Sequence, residues 1–133
     1  MLEVQKCRTQ RIMVVDDEEF CLTTIQSLLF NNGIDTENRV DYCITGQEAL
    51  EKLKNAYKED HAYCIIFTDF NMPVMSGIES TLHMRTYLEK ERNIKRSLQP
   101  IIIGVTGHML KEYQEEGIDA GMDEIYSKPL YAT

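Results

Sequence analysis

Tyr63-Cys64-Ile65-Ile66-Phe67-Thr68-Asp69 is an apolar run that ends on an acid, and Met72-Pro73-Val74-Met75-Ser76-Gly77 follows it almost at once. A short run of this kind, bounded by a Pro/Gly turn, reads as a strand buried on both faces. Beyond Gly77 the spacing predicts a helix to about Arg92, with Ile78, Leu82, Arg85 and Leu88 recurring along it.

Working outward, the same unit recurs on both sides. Arg11-Ile12-Met13-Val14-Val15 is an apolar strand stopped by Asp16-Asp17-Glu18-Glu19. A helix follows with Phe20, Cys21, Thr24, Ile25, Leu28 and Leu29 on one stripe, and Asn31-Asn32-Gly33 stops it. Residues 34–41 predict a more polar strand at a sheet edge. Thr45 and Glu48 have capping-box spacing and open a second helix, whose stripe is Leu50, Leu53 and Tyr57. Ile101-Ile102-Ile103-Gly104-Val105 is a fourth strand ending on Thr106. Met109, Leu110 and Tyr113 predict a short helix stopped at Gly117, and residues 123–127 a fifth strand ending on Lys128-Pro129. Strands alternating with helices imply an α/β fold, a doubly wound five-stranded parallel sheet with right-handed crossovers. The sequence ends shortly after Lys128, so the last helix is expected to be missing and apolar sheet surface to be exposed. The expected divisions are an N-terminal extension at 1–10, one domain at 11–130 and a truncated tail at 131–133.

A chain of 133 residues suits a single domain with a core of its own. The net charge of −8 and the scattered Lys and Arg argue against a nucleic-acid surface. Cys7, Cys21, Cys43 and Cys64 form no CxxC knuckle and read as small buried hydrophobes in a reducing compartment. No apolar run approaches the roughly 20 residues of a membrane span, and residues 1–10 lack the apolar core of a signal peptide. The expected setting is cytoplasmic, with no membrane contact by this domain.

The chemistry gathers at strand ends. Asp16-Asp17 ends the first strand, Asp69 the third, Thr106 the fourth and Lys128 the fifth. In a parallel sheet these ends share one rim, where ligands bind. Two unit charges about 4 Å apart repel by roughly 4 kcal/mol at an effective dielectric near 20, so three carboxylates there require positive charge. Lys128 supplies one; carboxylate oxygens with water suit a hard divalent ion such as Mg²⁺, and no Cys or His pair favours zinc. A carboxylate beside a divalent ion, a lysine and a hydroxyl can act as nucleophile and form an aspartyl phosphate.

Val14-Val15-Asp16-Asp17-Glu18, Thr68-Asp69-Phe70-Asn71-Met72-Pro73-Val74-Met75-Ser76-Gly77, Val105-Thr106-Gly107 and Ser127-Lys128-Pro129 together resemble the receiver domains of two-component signalling, over residues 11–130. The Thr45-Gly46-Gln47-Glu48-Ala49-Leu50 helix opening also recurs in that family. The resemblance implies a flavodoxin-like sheet of order 2-1-3-4-5. It implies that Asp69 is the phosphoacceptor, that Asp16 and Asp17 hold Mg²⁺, and that Asn71 adds its backbone carbonyl to the metal. Thr106 would move to hydrogen-bond the phosphoryl group, Lys128 would contact a phosphoryl oxygen, and Lys128-Pro129 would carry a cis peptide. The donor would be a histidine kinase or a histidine-phosphotransfer domain, and the parent protein could be a hybrid histidine kinase. The domain would not be an enzyme beyond its own phosphorylation and dephosphorylation. One departure is Ile125, which stands where the family usually has Tyr or Phe; Tyr126 follows it and would face the other way. Either the readout differs, or signalling does not use that route.

Further expectations concern the rim. Met109, Leu110 and Tyr113 are a candidate readout surface, His108 and Asn71 flank the expected water path, and Phe20 and Phe70 are candidates for donor docking. Three other readings compete, one of them a non-phosphorylated docking module, against which the intact acidic site speaks. An aspartyl phosphatase would need a cap or substrate pocket, for which this chain has no room. A flavodoxin-like electron carrier would need a phosphate loop rich in Ser, Thr or Gly where Asp16-Asp17-Glu18-Glu19 stands.

Overall fold

Alternate side chains of β1 (Arg11–Val15) enter opposite cores, Met13 and Val15 one and Ile12 and Val14 the other, so this strand is dry on both faces. In the computed structural model, which describes residues 10–108, 110–128 and 130, β1 lies inside a five-stranded parallel sheet. Its neighbours are β2 (Val40–Cys43) and β3 (Tyr63–Asp69), followed by β4 (Ile101–Thr106) and β5 (Glu124–Ser127), in the order β2-β1-β3-β4-β5. The expected flavodoxin-like order is therefore the observed one. In register, Val15 pairs with Cys43 and with Thr68, Asp69 with Val105, and Thr106 with Ser127. This alignment brings the carboxyl ends of β1, β3, β4 and β5 to one rim.

The helices are α1 (Glu19–Asn31), α2 (Gly46–Lys58), α3 (Gly77–Thr86) and α4 (Lys111–Ala120). One core packs Met13, Val15, Ile66, Ile102 and Met122 of the sheet side against Ala49 and Leu53 of α2 and Met84 of α3. The other packs Ile12, Val14, Phe67 and Val105 against Ile25 and Leu29 of α1. Full burial of a side chain of this size contributes about 1.5–3 kcal/mol relative to leaving it in water. Among the described residues no helix follows β5. The face shared with α1 is consequently open toward the β4–β5 edge, where Ile101 and Tyr126 are exposed. That matches the expected missing last helix.

Local physics moved several expected boundaries. β2 begins at Val40 rather than near 34, because Asp35 folds the preceding segment into a turn: its carboxylate accepts the Asn38 N–H (3.2 Å) and its carbonyl the Arg39 N–H (2.9 Å). In α3 the buried face is Ser80, Thr81, Met84 and Arg85, while Leu82 is exposed. The helix continues as a wide π turn, Tyr87–Glu91, which turns both Tyr87 and Leu88 inward. Gly117 does not stop α4. It lies buried inside the helix, where a Cβ would meet the Phe70 ring and Ile125 at 2.9 Å; the stop is Gly121, at φ +119°. The capping reading at α2 holds: Thr45 Oγ1 accepts the Glu48 N–H at 3.0 Å, and Glu48 reaches back to the Ile44 N–H at 3.2 Å.

Candidate functional site

The rim is assembled from four strand ends. The Asp16 N–H still donates to the Cys43 carbonyl at 3.0 Å, so this residue extends the ladder past β1 with its side chain buried. Its Oδ1 accepts the Glu18 N–H at 2.9 Å, which shapes the loop into α1. Asp69 is the last residue of β3 and is also buried. Asp17 is exposed, yet one carboxylate oxygen each of Asp16, Asp17 and Asp69 lies within 4.8 Å of the others.

Lys128 joins this group from the end of β5. Its N–H donates to the Thr106 carbonyl at 2.8 Å, which ties the ends of β4 and β5 together. Its ammonium stands 2.9 Å from Asp16 Oδ2 and 3.2 Å from Asp69 Oδ1. Burial works against that charge, but the hydrogen bond and attraction of Asp16, then of Asp69, outweigh it and hold the lysine pKa above its ordinary value. Asp69 is shifted the other way from most paired acids: burial raises its pKa and the Asp16 charge adds to the rise, while Lys128 and the Phe70 amide oppose it. One ammonium thus leaves three neighbouring carboxylates undercompensated. Oxygen donors at this spacing, two of them buried, fit a hard divalent cation.

Thr106 is buried, but its hydroxyl is turned to its own loop: it accepts the His108 N–H at 3.1 Å and donates to the His108 carbonyl at 3.2 Å. Gly107 has open space beside it, and His108 is exposed. Asn71 is exposed at the start of the loop after β3. That loop is closed by the Gly77 N–H on the Phe70 carbonyl at 2.8 Å, and a Cβ on Gly77 would run into the Asp69 carbonyl oxygen. The two phenylalanines part company. Phe20 is 77% exposed at the start of α1, whereas Phe70 is buried, its ring 2.5 Å from where a Cβ on Gly104 would sit. Phe70 is therefore a packing residue rather than a docking one. Leu110 and Tyr113 are exposed on the α4 side, and Met109 lies outside the described residues. So does Pro129, and with it the expected cis peptide. Ile125 packs into the first core and Tyr126 points the other way, its hydroxyl donating to Glu124 at 2.7 Å, as strand alternation requires.

Three features were not anticipated. Cys21 brings its thiol within 4.8 Å of carboxylate oxygens of Asp16 and Glu18, at a spacing of two and five residues from Asp16. Arg85 is buried and multiply bonded at the other end of the sheet. Val74, in the loop after β3, has φ +70°. Only the first carried a sequence signal, an acid one helical turn before a cysteine. The expected burial of the cysteines holds for Cys43, whose thiol burial pushes up to about 12, whereas Cys21 and Cys64 are only partly buried. No helix among the described residues is long and apolar enough to cross a membrane.

Comparison with known proteins agrees with this geometry. A family model described as the response regulator receiver domain matches residues 12–133. Hybrid signal transduction histidine kinase L of Dictyostelium discoideum is 33% identical over 121 residues, which is 90% of this chain and 6% of that protein. The aerobic respiration control sensor protein ArcB of Escherichia coli is 30% identical over 119 residues, 90% of this chain and 13% of that one. The chain thus spans a small fraction of the length of these relatives. Among solved structures, the receiver domain of the histidine kinase CKI1 from Arabidopsis thaliana, complexed with Mg²⁺, superposes with a TM-score of 0.72 at 31% identity, covering 89% of this chain and 82% of that one.

Proposed function

This chain belongs to the response regulator receiver domain family, and on that premise we propose that it takes a phosphoryl group from a phosphohistidine donor onto Asp69, with Mg²⁺ held by Asp16, Asp17 and Asp69. The observation that carries the reading is the meeting of three carboxylates and one bridging lysine, from three separate strands, at one rim. The donor is a histidine kinase or a histidine-phosphotransfer domain. Residues 11–130 are the receiver, and its reaction ends on the chain itself rather than on a released product.

An Asp69 oxygen attacks phosphorus; the new O–P bond forms as the donor's N–P bond breaks, and the imidazole leaves with the electron pair. Bound Mg²⁺ would neutralise charge on the phosphoryl oxygens, with the Asn71 carbonyl as a further oxygen ligand. Lys128 already stands 3.2 Å from Asp69 and can turn its ammonium to a phosphoryl oxygen without leaving the site. Thr106 must give up its two hydrogen bonds to the His108 backbone before its hydroxyl can reach that group. Each neutral bond contributes about 0.5–1.5 kcal/mol net and a charge-assisted one about 1.5–3 kcal/mol, so the exchange is nearly balanced. A balanced exchange is what a two-state switch needs, since a modest new interaction then moves the population.

The test is mass spectrometry after incubation with Mg²⁺ and acetyl phosphate. The native chain should carry an alkali-labile phosphate and Asp69→Asn none. Equal labelling of both would place the acceptor elsewhere.

A further inference from the structure

A lysine ammonium carries three N–H donors. At Lys128 they face Asp16 Oδ2 at 2.9 Å, Asp69 Oδ1 at 3.2 Å and the Cys21 thiol, with which the lysine shares a side-chain hydrogen bond. The thiol comes from a helix, whereas both acids come from strand ends. Cys21 lies in the first turn of α1, its N–H on the Glu18 carbonyl at 3.1 Å, and its sulfur is within 4.8 Å of a carboxylate oxygen of Asp16. Asp16, Cys21 and Lys128 share the wall of a cavity of about 260 Å³ whose apolar lining includes Ile25, Val105 and Leu130. Burial, then the Asp16 charge, raises the thiol above its ordinary value against the pull of Lys128, so at neutral pH it is an uncharged acceptor.

The three contacts are unequal. A hydrogen bond to a carboxylate is roughly twice as strong as a neutral one, and sulfur is a weak acceptor. Phosphoryl transfer brings a new anionic oxygen to Asp69, and the ammonium can take it only by freeing one N–H. Releasing Asp16 would strip a buried carboxylate of its cation, and releasing Asp69 would draw the lysine away from the reacting group. The thiol is the contact whose loss costs least, and the cavity beside it gives the ammonium room to turn. Resting on the phosphoacceptor reading above, we propose that Cys21 is a positioning residue for Lys128: its thiol holds the third N–H in the resting rim and yields it to the phosphoryl oxygen. The weakness of that hold sets how readily Lys128 turns.

The experiment measures labelling by acetyl phosphate with Mg²⁺ in the native chain, Cys21→Val and Cys21→Asn, and repeats both substitutions in a Lys128→Met background. Valine nearly keeps the volume and removes the acceptor, whereas asparagine supplies a stronger one. Labelling should run about threefold faster in Cys21→Val and about tenfold slower in Cys21→Asn, and neither substitution should alter the rate once Lys128 is methionine. Before any donor is added, the Lys128 ammonium protons, followed by NMR, should exchange with water more slowly in Cys21→Asn than in the native chain and faster in Cys21→Val. Equal labelling rates in all three chains, or the same slowing by asparagine with and without Lys128, would overturn the inference and reduce Cys21 to a packing residue. If the native chain takes no phosphate at all, the Asp69 reading is what has failed, and proton exchange at Lys128 still decides the thiol contact.

Discussion

The two ends of the sheet both bury charge, and they balance it differently. At the foot, where β4 and β5 begin, Arg85 is buried and donates to the Gly121 carbonyl (3.0 Å), the Pro100 carbonyl (2.8 Å) and Asp123 (2.8 Å). Asp123 in turn accepts the Ile102 N–H at 2.8 Å and is flanked by Arg96 at 3.3 Å. Burial, then the Arg96 charge, pushes the Arg85 guanidinium down to about 10, against the pull of Asp123; it is still charged at neutral pH. Near the start of β1, Arg11 donates to Asp41 at 2.8 Å and Tyr63 donates to it at 2.6 Å. Each buried charge at the foot has partners that satisfy it. At the rim, one lysine faces three acids. The foot uses charge to pin elements, whereas the rim leaves carboxylate charge uncompensated, an arrangement that suits a divalent cation. Surplus charge, rather than charge itself, distinguishes the working end.

Four substitutions can break or sharpen that contrast. The largest effect is expected of Lys128→Met, which should slow acyl-phosphate formation about a hundredfold, the scale for losing one stabiliser of transition-state charge. Its thermal unfolding midpoint without metal should also fall, and Mg²⁺ should restore more of it than in the native chain. A labelling rate within threefold of native would remove Lys128 from the chemistry. Arg85→Met should do the reverse. Breaking the foot network takes the Arg85 donor from the Pro100 carbonyl and leaves Asp123 and the Gly121 carbonyl with Arg96 as their remaining cationic partner, so urea unfolding should show a loss of about 3 kcal/mol. Mg²⁺ should not rescue it, and the folded fraction should still label at the native rate; rescue by Mg²⁺ would erase the distinction between the ends.

Smaller is the acid response of Asp41. Burial pushes its carboxyl up, but the hydrogen bonds from Arg11 and Tyr63 outweigh this and leave the pKa below its ordinary value. A depressed acid stabilises the fold above the unfolded pKa, near 4, and that part is lost as pH falls through the folded value. Asp41→Asn should therefore flatten the decline in stability between about pH 5 and pH 3, measured as urea midpoints. An unaltered slope would show that the pair contributes nothing to acid unfolding. The smallest effect belongs to Asp17→Asn, which removes an exposed acid from the crowded rim. Without metal the thermal midpoint should rise by a few degrees, and the further rise on adding Mg²⁺ should shrink. A lower midpoint would mean that the acids do not repel there.

The rim was legible in advance because its residues stand at strand ends, and parallel strands send their ends one way whatever the helices do. Asp16, Asp17, Asp69, Thr106 and Lys128 all follow from that rule, and apolar runs locate β1, β3 and β4, though not the polar β5. The foot was not legible. Arg85 falls on a helix stripe beside Leu88, and nothing in its neighbours tells that Pro100, Gly121 and Asp123, far along the chain, would receive its donors. Gly117 read as a helix stop for a related reason. A glycine that ends a helix and one that admits a neighbouring ring look the same until the Phe70 ring is in place.

From the sequence alone came the alternation of strands and helices, the parallel sheet and the acids, hydroxyl and lysine at its carboxyl edge, because periodicity and strand direction are local properties of the chain. The tertiary structure decided which oxygens Lys128 bridges, that Thr106 is held by the His108 backbone, and that Val74 is strained and exposed. Those depend on distances between segments brought together only by packing, which no local pattern of residues encodes.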